Sequence, residues 1–313
     1  MATDLLVESA AARSRLRRIV PQIHIHRILL ATDFSPSSMA ALPYAVAMAR
    51  RFEAKLYLAY VIPAEAYSLV PLSERDPALE NMKAHAAEQM AGLRAMSLLS
   101  GIAHEVLIDH GEIWPMLSEM VEKHAVDLVV IGTNGRRGVG KLLLGSTAEE
   151  ILRLAQKPVM IVGPKSSVPP ETEIHLRRVL HATDFSPESE PAMHYAFSLA
   201  KHYGASLALL HVAEDVWREP LSTRLSAADF FRERLLEKHW VIEDEGVVPE
   251  YYVEFGPRAD SILEIAAKLK SELIVIGVRG ARYPQVAAHL PGPTAYDVVS
   301  RARCPVLVIR GGV

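Results

Sequence analysis

Ile28-Leu-Leu-Ala-Thr-Asp33-Phe-Ser-Pro36 reads as a buried strand, a turn and the opening of a helix, and it occurs twice. Its second copy is Val179-Leu-His-Ala-Thr-Asp184-Phe-Ser-Pro187, at an offset of about 150 residues. Asp127-Leu-Val-Val-Ile-Gly132 returns as Glu272-Leu-Ile-Val-Ile-Gly277, and Lys157-Pro-Val-Met-Ile-Val162 returns as Cys304-Pro-Val-Leu-Val-Ile309, at nearly the same offset. A near-constant offset over half a chain marks the tandem duplication of one domain. The period far exceeds that of a solenoid, so each copy is expected to own a core.

Each copy alternates strands and helices. In the first, strands are expected near 26–31, 55–61, 103–108, 127–131 and 158–162, with helices near 37–52, 76–99, 112–124 and 146–155. In the second, strands are expected near 178–182, 206–212, 250–255, 272–276 and 305–309, with helices near 188–203, 222–245, 258–270 and 294–302. Alternation of this kind, with unbroken apolar strands such as Leu128-Val-Val-Ile131, predicts an α/β fold with two tandem doubly wound parallel sheets. Ser35-Pro36 supplies a capping oxygen and a proline for the first helical turn. The expected divisions are an extension at 1–23, a first domain at 24–163, a linker at 164–174 and a second domain at 175–313. The linker is rich in Pro and Ser. Residues 3–20 could form a short helix with a basic end.

In a doubly wound sheet, ligands bind beyond the carboxyl ends of the strands where strand order reverses. The fourth strand runs into Gly132-Thr-Asn-Gly135-Arg-Arg-Gly138-Val-Gly140-Lys-Leu-Leu-Leu-Gly145-Ser146-Thr147, which opens a helix. Backbone N–H groups at such a helix start can cradle phosphate. The plain alternative is a glycine-containing connection. Gly135-x4-Gly140-Lys141 begins like a P-loop, but Leu142 stands where the magnesium-binding Ser or Thr belongs, and no dinucleotide G-x-G-x-x-G is present. Asp33, at the end of the first strand, faces the same crevice if the first and fourth strands are neighbours. It could accept a hydrogen bond from an adenine amino group or a ribose hydroxyl, or it could tie down the turn and cap the helix.

Composition narrows the function classes. The 313 residues are 50% hydrophobic and 23% charged with a formal net charge of -3, which gives no electrostatic reason to expect a nucleic-acid partner. The single cysteine, Cys304, rules out an intramolecular disulfide framework and a cysteine-rich zinc site, and fits a reducing, cytoplasmic setting. No apolar run approaches the roughly 18 residues of a membrane span, and the N-terminus does not read as a signal peptide. The 13 histidines form no H-E-x-x-H. His181, near its strand's crevice end, could touch a ligand in the second copy or pack within it. No G-x-S-x-G elbow occurs, and Ser146 has no identifiable base, so it is assigned to phosphate binding and no catalytic residue is named.

With these residues assembled, the chain resembles a tandem universal stress protein of the nucleotide-binding type. That family's pattern, Gly-x2-Gly-x9-Gly-(Ser/Thr), is met by Gly132, Gly135, Gly145 and Ser146. The resemblance spans both repeats and implies two Rossmann-like domains of the adenine nucleotide alpha hydrolase-like type. It assigns Ala31, Thr32 and Asp33 to the adenine side, and Val61 to the end of the second strand beside the base. Ile131 and Gly132 enter the phosphate crevice, Gly135 and Gly145 let backbone approach the phosphates, and Ser146 and Thr147 bind phosphate oxygens. Gly111-Glu112 falls near the ribose. The implied ligand is ATP, or ADP or AMP, with magnesium as a candidate companion. The second copy departs: eleven residues separate Gly280 from Gly292, and Pro293 takes the serine position. Proline offers neither hydroxyl nor N–H, so one strong site is expected. The resemblance further implies a stress-response binding protein whose last strands (158–162 and 305–309) meet, as an intramolecular pseudo-dimer or in a homodimer, with an unidentified regulatory partner. A slow adenine-nucleotide hydrolase or transferase and a nucleotide-independent scaffold are the alternatives.

Overall fold

A computed structural model describes residues 23–133, 144–166, 176–187, 189–240, 246–278 and 293–311. The expected helix at 3–20, most of the linker, Gly135 and the basic residues of its loop, and the second glycine loop lie outside the described residues.

The chain forms two compact units, one holding His24–His175 with Val278–Val313 and the other Leu176–Gly277 with Ile23. In the first unit the order is β1 (Arg27–Ala31), α1 (Pro36–Phe52), β2 (Lys55–Pro63), α2 (Arg75–Arg94), β3 (His104–Gly111), α3 (Ile113–Lys123), β4 (Leu128–Gly132), α4 (Ser146–Leu154) and β5 (Val159–Val162). Its strands are ordered β3-β2-β1-β4-β5, all parallel. The same unit receives the end of the second repeat, α8 (Pro293–Arg301) and β10 (Val306–Arg310). β10 pairs antiparallel with β5 through Val306↔Ile161, Leu307↔Met160 and Val308↔Val159. The units therefore cross the repeat boundary.

The other unit contains β6 (Arg178–Ala182), α5 (Ser189–Tyr203), β7 (Ser206–Val212), α6 (Leu221–Trp240), β8 (Glu250–Glu254), α7 (Arg258–Lys268) and β9 (Leu273–Val278). Its parallel order is β9-β6-β7-β8. Central strands are buried on both faces: Ile28, Leu29, Leu30, Val130, Val179, Leu180 and Ile274 are all within a few per cent of full burial, as parallel sheets covered by helices require. An acid before each fourth strand ties down the first. Asp127 Oδ2 accepts from the N–H groups of His26 (2.8 Å) and Arg27 (3.0 Å), and Glu272 accepts from Arg177 N–H.

The expected helix at 76–99 stops at Arg94. A separate 3-10 turn at Ser97–Leu99 follows, which buries Leu99 and lets Arg50 Nη2 donate to Leu98 O at 2.7 Å. Burial of one leucine and satisfaction of one carbonyl override the helical pattern.

Gly132 marks the tightest contact. A Cβ there would lie 2.3 Å from Ser37 O and 2.8 Å from Ser38 N, in the first turn of α1. No side chain fits without moving that turn. Gly92, exposed on α2, has nothing within 4 Å of the same position. Gly132→Ala is expected to lower unfolding stability by about 1–3 kcal/mol as overpacking, while Gly92→Ala raises it by about 0.5–1 kcal/mol through helix propensity. Urea unfolding of the two variants checks both signs.

His181 is wholly buried within β6, one residue before the strand end, where the first repeat has Leu30. Its Nδ1–H donates to Val275 O at 3.0 Å, and Nε2 is buried with no partner among the described residues. Burial pulls its pKa down to about 4, with Asp184 opposing and His194 reinforcing that shift. The folded imidazole thus refuses a proton that the unfolded one accepts. Its contribution is complete above about pH 6.5 and is lost as pH falls toward about 4. That loss is on the order of 3 kcal/mol. His181→Leu is expected to lose less stability than wild type between pH 7 and pH 4.5 in urea titrations; equal losses would place the acid sensitivity elsewhere.

Candidate functional site

β1 leaves the sheet through Thr32-Asp33-Phe34-Ser35, a turn held by its own side chains. Thr32 is buried; its N–H donates to Ala59 O at 2.9 Å, and its Oγ1 accepts from Phe34 N–H at 3.0 Å. Thr32 Oγ1 also lies 3.0 Å from Ser38 Oγ. Asp33 Oδ1 accepts from Ser35 N–H at 3.0 Å. Ser35 is the N-cap of α1, its side chain accepting from Ser38 N–H at 3.2 Å. These bonds hold Phe34 in the left-handed region at φ 60, an arrangement that costs on the order of 1–3 kcal/mol for a non-glycine residue. The aspartate therefore ties the turn, and the cap itself is Ser35.

The other predicted residues gather at the same strand ends. Ala31 closes β1 and is paired with Ala59 of β2 and Ile131 of β4. Ile131 and Gly132 end β4, with Gly132 opposite Val162. Val61 is buried near the end of β2, opposite Asp109. Gly111 ends β3 at φ +138, next to the exposed Glu112.

Strand order reverses between β1 and β4, so this pair of ends is the switch point of the sheet. Beyond it, Thr133 N–H donates to Val162 O at 3.2 Å, and Gly145 N–H donates to Thr133 O at 2.6 Å, which ties the two flanks of the glycine loop together. Gly145 is the N-cap of α4 and brings no side-chain cap. At the start of α4 Ser146 is exposed and Thr147 is half-buried, and the first N–H groups of a helix have no partner within it. Geometry unites Ala31, Thr32, Asp33, Ile131, Gly132, Gly145, Ser146 and Thr147, with Val61 one strand away. Gly135 lies outside the described residues.

Two contacts around α4 were not read from the sequence. Leu144 N–H donates to Tyr296 Oη at 3.3 Å, and Arg310 Nη2 donates to Leu152 O at 2.9 Å and to Arg153 O. Both partners come from the second repeat's last helix and strand. The one legible signal was a charged residue, Arg310, directly after the apolar run Val306-Leu-Val-Ile309, where the first repeat has Gly163.

The second repeat builds the same turn. Ser186 N–H donates to Asp184 Oδ1 at 3.0 Å, Phe185 N–H donates to Thr183 Oγ1 at 3.0 Å, and Phe185 sits at φ 61. What surrounds it differs. Phe185 packs on His211 with ring centres 4.5 Å apart, Phe231 of α6 lies 4.3 Å from His211, and the Arg234 guanidinium covers the Phe185 ring at 4.7 Å. In the first repeat Phe34 meets Tyr60 at 5.1 Å. His211 Nδ1–H donates to Thr183 O at 2.9 Å, and burial holds its pKa below the ordinary histidine value. α8 opens on Pro293, which has no N–H to offer.

Among the described residues, no helix is long and apolar enough to cross a membrane, and no three His, Cys, Asp or Glu side chains converge as metal ligands. Comparison with known proteins agrees with the architecture. The profile of the Universal stress protein family matches residues 24–163 and again 175–310. A universal stress protein of Mycolicibacterium smegmatis is 29% identical, over 90% of this chain and 96% of its own. One of Methanocaldococcus jannaschii is 29% identical over 44% of this chain and 81% of its own. Among solved structures, a universal stress protein of Archaeoglobus fulgidus superposes with a TM-score of 0.67 at 25% identity, covering 91% of this chain and 98% of that one. The chain belongs to the universal stress protein family and carries two of its domains in tandem.

Proposed function

We propose that the first repeat binds ATP or a related adenine nucleotide at the β1/β4 switch point, and that the protein works as a cytoplasmic, nucleotide-responsive binding factor in the stress response. The observation that carries this reading is the placement of a carboxylate and a helix start with a glycine N-cap beside one pair of strand ends. Asp33, with Ala31, Thr32 and Val61, would hold the base and ribose. The α4 N-terminus would hold phosphate through backbone N–H groups of Ser146 and Thr147 and their hydroxyls, because helix starts carry partial positive charge and free donors. Gly132 contributes by letting α1 approach the end of β4, which makes it a packing requirement of the crevice. The second repeat keeps the aspartate turn and opens its last helix on proline, so it adds no equivalent phosphate site.

Titration calorimetry with ATP and with adenosine separates the two halves of the site. Ser146→Ala is expected to weaken ATP about tenfold and leave adenosine unchanged, the loss of one hydrogen bond to a charged group. Asp33→Asn keeps the oxygen that ties the turn and is expected to weaken both ligands. Wild-type protein that binds neither ligand would return the first repeat to a scaffold role. Magnesium-dependent release of phosphate from ATP would move the reading to a hydrolase.

A further inference from the structure

α4 has nine residues, a length at which a helix depends on tertiary anchors for its position. Its N-terminal flank is held from outside the first repeat, because Leu144, one residue before the N-cap, donates its N–H to the Tyr296 hydroxyl. Its other end is held the same way. Leu152 O and Arg153 O belong to the last turn, whose carbonyls have no partner within the helix, and Arg310 Nη2 donates to both. A cation at a helix C-terminus also complements the helix dipole. Arg310 is partly buried behind the β5–β10 pairing that delivers it.

The counterpart contact in the second repeat lacks this device. Gly163 stands where the second repeat has Arg310, and it faces the end of α8: a Cβ on it would lie 3.1 Å from Val299 O and 3.5 Å from Ala302 O. Val299 occupies the place in α8 that Leu152 occupies in α4. Backbone approaches backbone there, whereas an arginine clamps carbonyls at α4. The tyrosine is equally one-sided, since Glu149 of α4 is the match of Tyr296. Both one-sided anchors fall on the helix that follows the intact glycine pattern.

We propose that Tyr296 and Arg310, from the end of the second repeat, are positioning residues for the phosphate end of the first repeat's nucleotide site, acting through the two ends of α4. This rests on the nucleotide reading given above. It gives the second repeat a role that needs no ligand of its own: its last helix and strand complete the site in the first.

The test uses the full-length chain and measures ATP affinity, adenosine affinity and Tm for wild type, Arg310→Met, Arg310→Lys and Tyr296→Phe. Arg310→Met is expected to weaken ATP about five- to tenfold with adenosine unchanged, and Arg310→Lys to recover most of the loss. Tyr296→Phe, which removes only a hydroxyl, is expected to weaken ATP about two- to fivefold, again with adenosine unchanged. A cap with a purely structural role would lower Tm and leave the ATP-to-adenosine affinity ratio at its wild-type value, and that result overturns the proposal. Should Arg310→Met not fold, the ratio in Tyr296→Phe decides by the same criterion. Failure of wild type to bind ATP at all is a separate outcome: it removes the site, and the positioning role with it.

Discussion

The parallel pairing of β1 with β4 is the constraint on which the rest depends. Parallel neighbours cannot be joined by a tight turn, so the chain must make a long crossover, usually a helix, before it returns. Here β1 exits into α1 and β4 exits into α4, and the in-register pair Ala31↔Ile131 brings the two exits together. The start of α1 approaches so closely that only glycine fits at the end of β4. That contact fixes the end of β4 against α1, and the N-cap of α4 follows beyond the same strand. A strand register therefore sets the distance between an aspartate and a helix start that are more than a hundred residues apart in sequence.

The turn after β1 stores strain that its own side chains offset. Phe34 and Phe185 both hold left-handed backbone, and in each case a threonine hydroxyl and an aspartate carboxylate take the nearest N–H groups. The two turns share these bonds and the left-handed phenylalanine, as their shared Thr-Asp-Phe-Ser sequence at the same place in the sheet leads one to expect. What each phenylalanine then packs against is set by other elements, a tyrosine of β2 in one repeat and a histidine of β7 with α6 residues in the other.

Much of this was legible in the sequence. The strands expected at 178–182 and 206–212 match β6 and β7 to the residue, because short apolar runs bounded by polar residues leave little choice of register. The glycine pattern placed Gly132, Gly145 and Ser146 beyond the fourth strand, and the strand order sets that strand beside β1, the condition the sequence left open. Other features depend on tertiary contacts that no local pattern encodes. The early end of α2 follows from burying Leu99, and the reason for Gly132 requires knowing where Ser37 lies. Tyr296 and Arg310 reach α4 in company with an antiparallel pairing between the last strands of the two repeats, at a distance in sequence of about 150 residues.

The two repeats also show which residues can discriminate a binding site from a turn. Asp33 and Asp184 make the same bond to the N–H two residues on, so an aspartate at this place is accounted for by the turn whether or not a ligand is present. Gly132 is accounted for by packing. Neither residue, taken alone, separates a nucleotide site from a scaffold. The difference between repeats lies at the fourth helix, where Gly145-Ser146 in one copy faces Gly292-Pro293 in the other. Serine adds a donor and a hydroxyl at a helix start; proline removes both while remaining well suited to the first helical turn. The exchange leaves a residue well suited to the first helical turn and removes one backbone donor and one hydroxyl there.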